Sequence, residues 1–376
     1  MQSQDAAWMV NLPGNRGSCW VATADRTGYP QLDSSVHAET VVVGGGIVGL
    51  TTALRLLEAG RSVILVEALE IGQQVTGRST AKITTQHALI YRHLVDTCGL
   101  PTARNYTEAN SAGVELIKDW IREYGIACDL ECKNAYSYAT NSKGREEIEA
   151  EAEAARQVGL QAEVLDRAPL PFETVGALCF ADQAQFNPAK YLVGLAHTVA
   201  NRGGRLFEHS RAILIGEASR WRVVTAYGTV HAENMVVATN MTVKSPVGMA
   251  NRTQPRCHTA MAFRVDDPLV VDGMSLMIPC TRYEPAGMTE VLCLSCWAPS
   301  STPVRMGTSR HDSSTWKSGR ERTCPSAMLP GVGAMRITTR RIECLLSANP
   351  IPTTLRASTS PLASMPGASA MGPQLA

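Results

Sequence analysis

The chain has 376 residues, 44% of them hydrophobic, which is enough for two substantial domains with buried cores. Its 35 basic and 34 acidic residues leave a formal net charge of +1, so it carries no electrostatic footprint for nucleic acid or an anionic membrane. No basic N-terminal region leads into an apolar run, and VVVGGGIVGL from Val41 to Leu50 is too short and Gly-rich to span a bilayer.

These features predict a soluble, cytoplasmic chain acting on small molecules, with its eleven scattered cysteines reduced. Cys293-Leu-Ser-Cys296 and Cys257-His258 each lack the second pair that a zinc or iron–sulfur site needs, so no metal site is expected. Residues 1–37 read as an N-terminal extension.

The first readable element is the β-branched run Thr40 to Val43, of the kind buried in a parallel sheet. It leads directly into Gly44-Gly45-Gly46-Ile47-Val48-Gly49, a G-x-G-x-x-G sequence. Gly44 permits a tight turn, Gly46 lets backbone approach a pyrophosphate, and Gly49 lets the following helix pack closely on the strand. Leu50, Ala53, Leu54 and Leu57 recur at helical spacing, and Gly60 supplies a C-terminal stop. A second strand, Val63 to Val66, ends in Glu67, whose carboxylate can accept ribose hydroxyls. Strand, glycines, helix, stop, strand and acid in this order predict an ADP-cradling βαβ unit. The acid disfavours a 2′-phosphorylated cofactor and leaves FAD and NAD open.

From Gly72 to His87 the chain is rich in small polar residues and lacks apolar periodicity, as a ligand loop would be. Here Thr76-Gly77-Arg78-Ser79-Thr80-Ala81-Lys82-Ile83-Thr84-Thr85-Gln86-His87 resembles the D-amino-acid oxidase and glycine oxidase superfamily of flavoproteins. Within it, the likeness is to bacterial FAD oxidoreductases that often bear a C-terminal Rieske domain. The resemblance implies FAD as cofactor and an amine or amino acid as substrate. It further implies Ala68, Gly77, Ser79, Thr80, Ala81 and Lys82 as cofactor contacts beside Gly44 to Gly49 and Glu67. Lys82 reads as a polar contact and His87 as a satisfied loop histidine; no catalytic residue is named.

Further along, Tyr106, Ala109, Ala112, Leu116, Ile117, Trp120 and Ile121 predict an amphipathic helix, and Ala135 to Ala139 a strand. REEIEAEAEAAR, Arg145 to Arg156, predicts a helix with a solvated acidic face. Asn187-Pro188 opens a helix to Arg202, with Asn as N-cap and Pro in the first turn. Strands follow at Arg205 to Glu208 and Ala212 to Ile215, then a hairpin around Arg222 to Thr225 and Val230. Asn234 to Asn240 resembles the second flavin fingerprint, with Ala238 and Thr239 beneath the dinucleotide and Asn240 in place of the usual Gly. Asn tolerates a left-handed backbone better than most residues. Ala212 matches the position that borders the adenine in these flavoproteins. Cys257 to Arg264 reads as a strand of the substrate domain.

The expected fold class is therefore α/β, with a Rossmann-like FAD-binding domain interrupted by a discontinuous α+β substrate domain. FAD-binding parts are expected at 38–105 and 181–245, a helical and substrate insertion at 106–180, and the start of the substrate domain at 246–274. From Ser275 onward, 102 residues hold 11 of 20 prolines and 7 of 14 methionines, and buried periodic runs nearly vanish, which predicts a disordered tail.

Back-translation with each codon begun one base earlier gives that tail a different origin. From Thr353 to Ala376, permitted codons yield DNAPGFYIATGFNAWGISNGTAAG, which resembles the C-terminal flavin-binding strand, turn and helix of the same superfamily. Val332 to Pro352 and Met277 to Val291 also yield family-like peptides in that frame. The methionine codon ends only in G, so Met365-Pro366 forces an alanine where the family-like peptide has one. The expectation is a frame change near Met274 to Met277. Three readings follow: an FAD-dependent oxidase or dehydrogenase of C–N bonds, a nicotinamide-dependent dehydrogenase, or a non-catalytic remnant.

Overall fold

A computed structural model describes residues 17–217, 220–240, 253–264, 273–277, 293–297, 304–309 and 335–344. The first half of the described chain runs α1 (Cys19–Ala22), β1 (Ser35–Val43), α2 (Ile47–Glu58), β2 (Val63–Val66), β3 (Lys82–Ile83), α3 (Ile90–Cys98), α4 (Leu100–Glu123), β4 (Glu131–Ala139). Then come α5 (Ser142–Gln157), β5 (Glu163–Leu165), β6 (Gly176–Gln185), α6 (Pro188–Asn201), β7 (Arg205–Phe207), β8 (Leu214–Glu217), β9 (Trp221–Val224) and β10 (Thr229–Val237). Five strands follow: β11 (Thr253–Arg264), β12 (Met274–Met277), β13 (Cys293–Trp297), β14 (Val304–Ser309) and β15 (Met335–Cys344).

The first sheet has the order β7-β2-β1-β10-β9-β8, parallel across β7, β2, β1 and β10 and antiparallel at β9 and β8. Val63–Val66 of β2 and Val41–Val43 at the end of β1 are apolar and buried, because both faces of the sheet are covered there. Val42 and Leu65 face one core with Leu50, Ala53 and Leu54 of α2 and Tyr191, Leu192 and Leu195 of α6. Val41, Val43, Ile64 and Val66 face another with Phe207, Val223 and Val230. The period of two along each strand assigns these side chains to opposite faces. The chain leaves β1 toward β2 on one side and returns at β10 on the other, so the strand order reverses between β1 and β10. In open α/β sheets a ligand crevice lies beyond the strand ends at such a point.

The second sheet has the order β15-β11-β14-β13-β12-β4-β6-β3, with β5 also paired to β6. One face of β6 packs on α3 and α5 through Tyr91, Ile148, Ala152, Ala155, Leu178 and Phe180. The chain is thus α/β with a doubly covered parallel sheet and a separate mixed sheet, as expected.

Several elements cross the expected divisions. The divisions at 105/106 and 180/181 fall inside α4 and β6, which are each single elements. The two-residue β3 pairs with β6, so part of the 38–105 segment belongs to the second sheet. The strand expected at Ala212 to Ile215 begins at Leu214, and the hairpin strand and second fingerprint merge into one nine-residue β10. Ala109 and Ala112 are exposed; the inward face of α4 is Ala103, Thr107, Val114, Trp120 and Ile121.

Beyond Met277, β13, β14 and β15 add to the second sheet, and the rest of the expected tail lies outside the described residues. No helix among the described residues is long and apolar enough to cross a membrane.

Candidate functional site

At the end of β1 the chain must turn sharply into α2. Gly44 does so at φ +113°, a conformation open chiefly to glycine. A Cβ there would lie 2.5 Å from the Ala238 carbonyl oxygen. The Gly44 N–H donates to the Val66 carbonyl and the Ala238 N–H to the Val43 carbonyl, each at 2.8 Å. The two fingerprints, almost two hundred residues apart in the chain, therefore meet at the strand-order reversal. Asn240 takes φ +66°, the left-handed conformation for which its amide side chain suits it.

Gly49 packs against the start of its own turn, and a Cβ on it would fall inside the Gly44 carbonyl. Gly46 is the N-cap of α2 and has no side chain to cap with. A Cβ on it would meet only the Thr76 hydroxyl, at 3.4 Å. The first-turn N–H groups of α2 and its dipole thus face an open approach, the arrangement that binds a phosphate. Ile47 donates to Thr76 Oγ1 at 3.3 Å, and Val48 is 62% exposed.

Glu67 is buried at the end of β2. One carboxylate oxygen accepts from the Gly45 N–H at 2.6 Å and the other from the Leu69 N–H at 2.9 Å. A carboxylate has about four acceptor positions, so two remain for a pair of ribose hydroxyls. Ala68 follows it, half-buried. Ala212 is half-buried just before β8 and packs against the core on the far face of the sheet. These residues fit the ADP half of FAD: a glycine turn packed so closely that a Cβ on Gly44 or Gly49 would strike backbone, a helix N-terminus and a fixed acid.

The loop after β2 is a second tight turn. A Cβ on Gly77 would fall inside the Gly72 carbonyl and lie 3.1 Å from Val21. Residues Thr76–Arg78 form a 3-10 turn, closed by Ser79 N–H donating to the Thr76 carbonyl at 3.2 Å. Thr80 leads on to Ala81, which is buried at φ +61°. Its N–H donates to Ser79 Oγ and its carbonyl accepts from the Phe186 N–H. A non-glycine residue held in that region is strained and persists only when neighbours fix it.

Lys82 then pairs with Gln185 in the second sheet. Past β3, Thr85 N–H donates to Gln183 Oε1 at 2.7 Å and the Tyr91 hydroxyl donates to the Thr85 carbonyl at 2.5 Å. His87 Nδ1 lies 2.6 Å from the Tyr106 hydroxyl, the satisfied loop histidine expected.

Residues 17–34 carry more than an extension would. Ser18 and Trp20 bond to the loop at Gly77 and Ser79. Glu208, fully buried at the end of β7, accepts from the Thr27 hydroxyl, the Tyr29 N–H and the Ile71 N–H. The sequence assigns Thr76, Glu208, Ser18 and Trp20 no site role. For Glu208 a signal existed: like Glu67, it is an acid closing a short strand.

The family description "DAO, FAD dependent oxidoreductase" matches residues 39–286, two thirds of the chain. The chain belongs to this FAD-dependent family. A protein of Bacillus subtilis named as a Rieske 2Fe-2S iron–sulfur protein, YhfW, is 34% identical over 55% of this chain and 40% of its own length. Gamma-glutamylputrescine oxidoreductase of Escherichia coli is 30% identical over 63% of this chain and 58% of its own. The chain thus spans about half the length of these curated relatives. Among solved structures, glycine oxidase from Bacillus cereus superposes with a TM-score of 0.54 at 17% identity, covering 72% of this chain and 71% of that one. At that identity the likeness concerns the fold.

Proposed function

We propose that this chain is the FAD-binding portion of an oxidoreductase acting on a C–N bond of an amine or amino acid. The observation that carries the reading is the meeting of Gly44 and Ala238 beside Glu67, which builds one dinucleotide cradle from both fingerprints. Gly44, Gly45, Gly46, Ile47, Val48 and Gly49 would hold the pyrophosphate, Glu67 and Ala68 the ribose, and Ala212 the adenine. Gly77, Ser79, Thr80, Ala81 and Lys82 would line the path toward the ring, with Ala238, Thr239 and Asn240 beneath the dinucleotide.

Bound flavin would supply the hydride acceptor. The substrate would lose a hydride from carbon and a proton from nitrogen, and the resulting imine would hydrolyse to a carbonyl compound and an amine. The substrate class rests on relatives named for glycine and gamma-glutamylputrescine. Strand, loop and distant fingerprint together favour FAD over a nicotinamide cofactor.

A second reading has its own support: the family-like peptides in the shifted frame. It holds that the frame changes near Met274 to Met277, leaving the cradle and losing the segment that completes the active site.

One experiment separates the readings. The purified chain, reconstituted with FAD, is offered a panel of primary and secondary amines and amino acids under a dye acceptor, and carbonyl product is measured. Turnover of at least one amine, with none of the matching hydroxy acids, supports the enzyme. Bound FAD without turnover, together with a base gained or lost in the gene relative to its relatives, supports the second reading. Turnover of hydroxy acids alone contradicts the proposed substrate class.

A further inference from the structure

The loop from Ile71 to Ser79 is held from outside at both ends by one segment of chain, Ser18 to Tyr29. At its far end, Ser18 Oγ donates to the Gly77 carbonyl at 2.5 Å and Trp20 Nε1 to the Ser79 carbonyl at 3.0 Å. Trp20 is 1% exposed, and Val21 lies against Gly77 where no Cβ would fit comfortably. At its near end, one Glu208 oxygen accepts from both the Thr27 hydroxyl and the Ile71 N–H, while the other accepts from the Tyr29 N–H. Midway, Asn187 Nδ2 donates to Thr23 Oγ1 at 3.0 Å, and the same Asn187 caps α6 through its Oδ1.

The carbonyls of Gly77 and Ser79 flank Arg78 at the tightest point of the loop. A carbonyl fixed by a buried donor sets the direction of its whole peptide plane. The segment therefore dictates which way the loop presents its other backbone groups.

We propose that Ser18 to Tyr29 is a clasp that positions the FAD-contacting loop, with Ser18 and Trp20 as positioning residues for the cofactor. This rests on the FAD reading above. The clasp bonds the loop at the Gly77 and Ser79 carbonyls, so its residues act through Gly77 and Ser79. Cys19, between them, has its thiol pushed up to about 11 by burial, which keeps a thiolate away from this junction at neutral pH.

The test uses the full chain with Trp20→Phe, which keeps an aromatic ring and loses the N–H, and Ser18→Ala, which loses only the hydroxyl. FAD dissociation constants are measured by titrating apoprotein, alongside the visible circular dichroism of bound flavin and the melting temperature of the apoprotein. Each variant is expected to bind FAD about tenfold more weakly, the loss of roughly one buried hydrogen bond. Its flavin dichroism should change, and its apoprotein should melt within about 2 °C of wild type, since one hydrogen bond moves the melting point of a chain this long only slightly.

Unchanged FAD affinity and dichroism in both variants overturn the proposal. An apoprotein melting loss that accounts for the whole affinity change also overturns it, because the contacts would then be only structural. If Trp20→Phe does not fold, Ser18→Ala decides by the same criteria. A wild-type chain that binds no FAD refutes the cofactor reading itself, an outcome distinct from a wild type that binds while the variants bind equally well.

Discussion

Glu67 and Glu208 close neighbouring parallel strands, β2 and β7, yet their carboxylates do different things. Glu208 is fully buried and meets three donors from the chain itself, so most of its acceptor positions go to holding the clasp and the loop. Glu67 meets two backbone N–H groups and keeps acceptor capacity toward the crevice. Glu67→Ala would remove the proposed ribose acceptor and leave the Gly45 and Leu69 N–H groups without their partner. Its FAD affinity is expected to fall roughly ten- to a hundredfold, as for a lost hydrogen bond to a charged group. Isothermal titration of apoprotein with FAD measures this, and a change under about twofold would contradict the role. Sequence reasoning located Glu67 because its chemistry is local, a fixed distance past a glycine turn. It passed over Glu208 because that residue's partners lie 137 to 181 positions away, and nothing in a strand of three residues advertises them.

Elements with a strong repeat were legible to within a few residues: α2, β2 and α6 lie where the apolar spacing, Gly60 and Asn187 put them. The helix at 142–157 was also legible, with an acidic face expected to be solvated. Glu151 instead points inward, fully buried, and accepts from the Tyr91 and Arg92 N–H groups. It thereby caps the N-terminus of α3, whose own N-cap Leu89 cannot. That helix had no cap signal in its local sequence and was missed.

The expected division at 180/181 falls inside β6, beside a bulge where Ala181 and Asp182, the latter at φ +57°, lie opposite Asn134 and the register shifts. Burial raises the Glu151 pKa above 4.5, against the two N–H donors and Arg92, which lower it. A raised folded pKa contributes stability below the unfolded value and loses it as pH rises through the folded one. Glu151→Gln cannot ionise, so its melting temperature relative to wild type is expected to rise as pH goes from about 4 to about 8. A difference independent of pH would contradict a carboxylate strained by burial.

At the scale of the molecule, two sheets divide the work. The parallel sheet brings both fingerprints to one crevice, and the second sheet, through β3 and β6, fixes the far end of the loop that leaves it. The crevice was legible because a βαβ unit is built from neighbours in sequence. The clasp was not, because it depends on backbone carbonyls at Gly77 and Ser79 that have no residue identity to read. FAD is proposed to bind in the cradle between β1 and β10. The most direct measurement is the FAD content of the purified chain, released by denaturation and quantified against protein, for wild type and Gly49→Ala. The account predicts about one FAD per wild-type chain. It predicts close to none in the variant, whose Cβ would enter the Gly44 carbonyl. A flavin-free wild type after reconstitution, or a Gly49→Ala chain that retains FAD in full, would contradict it.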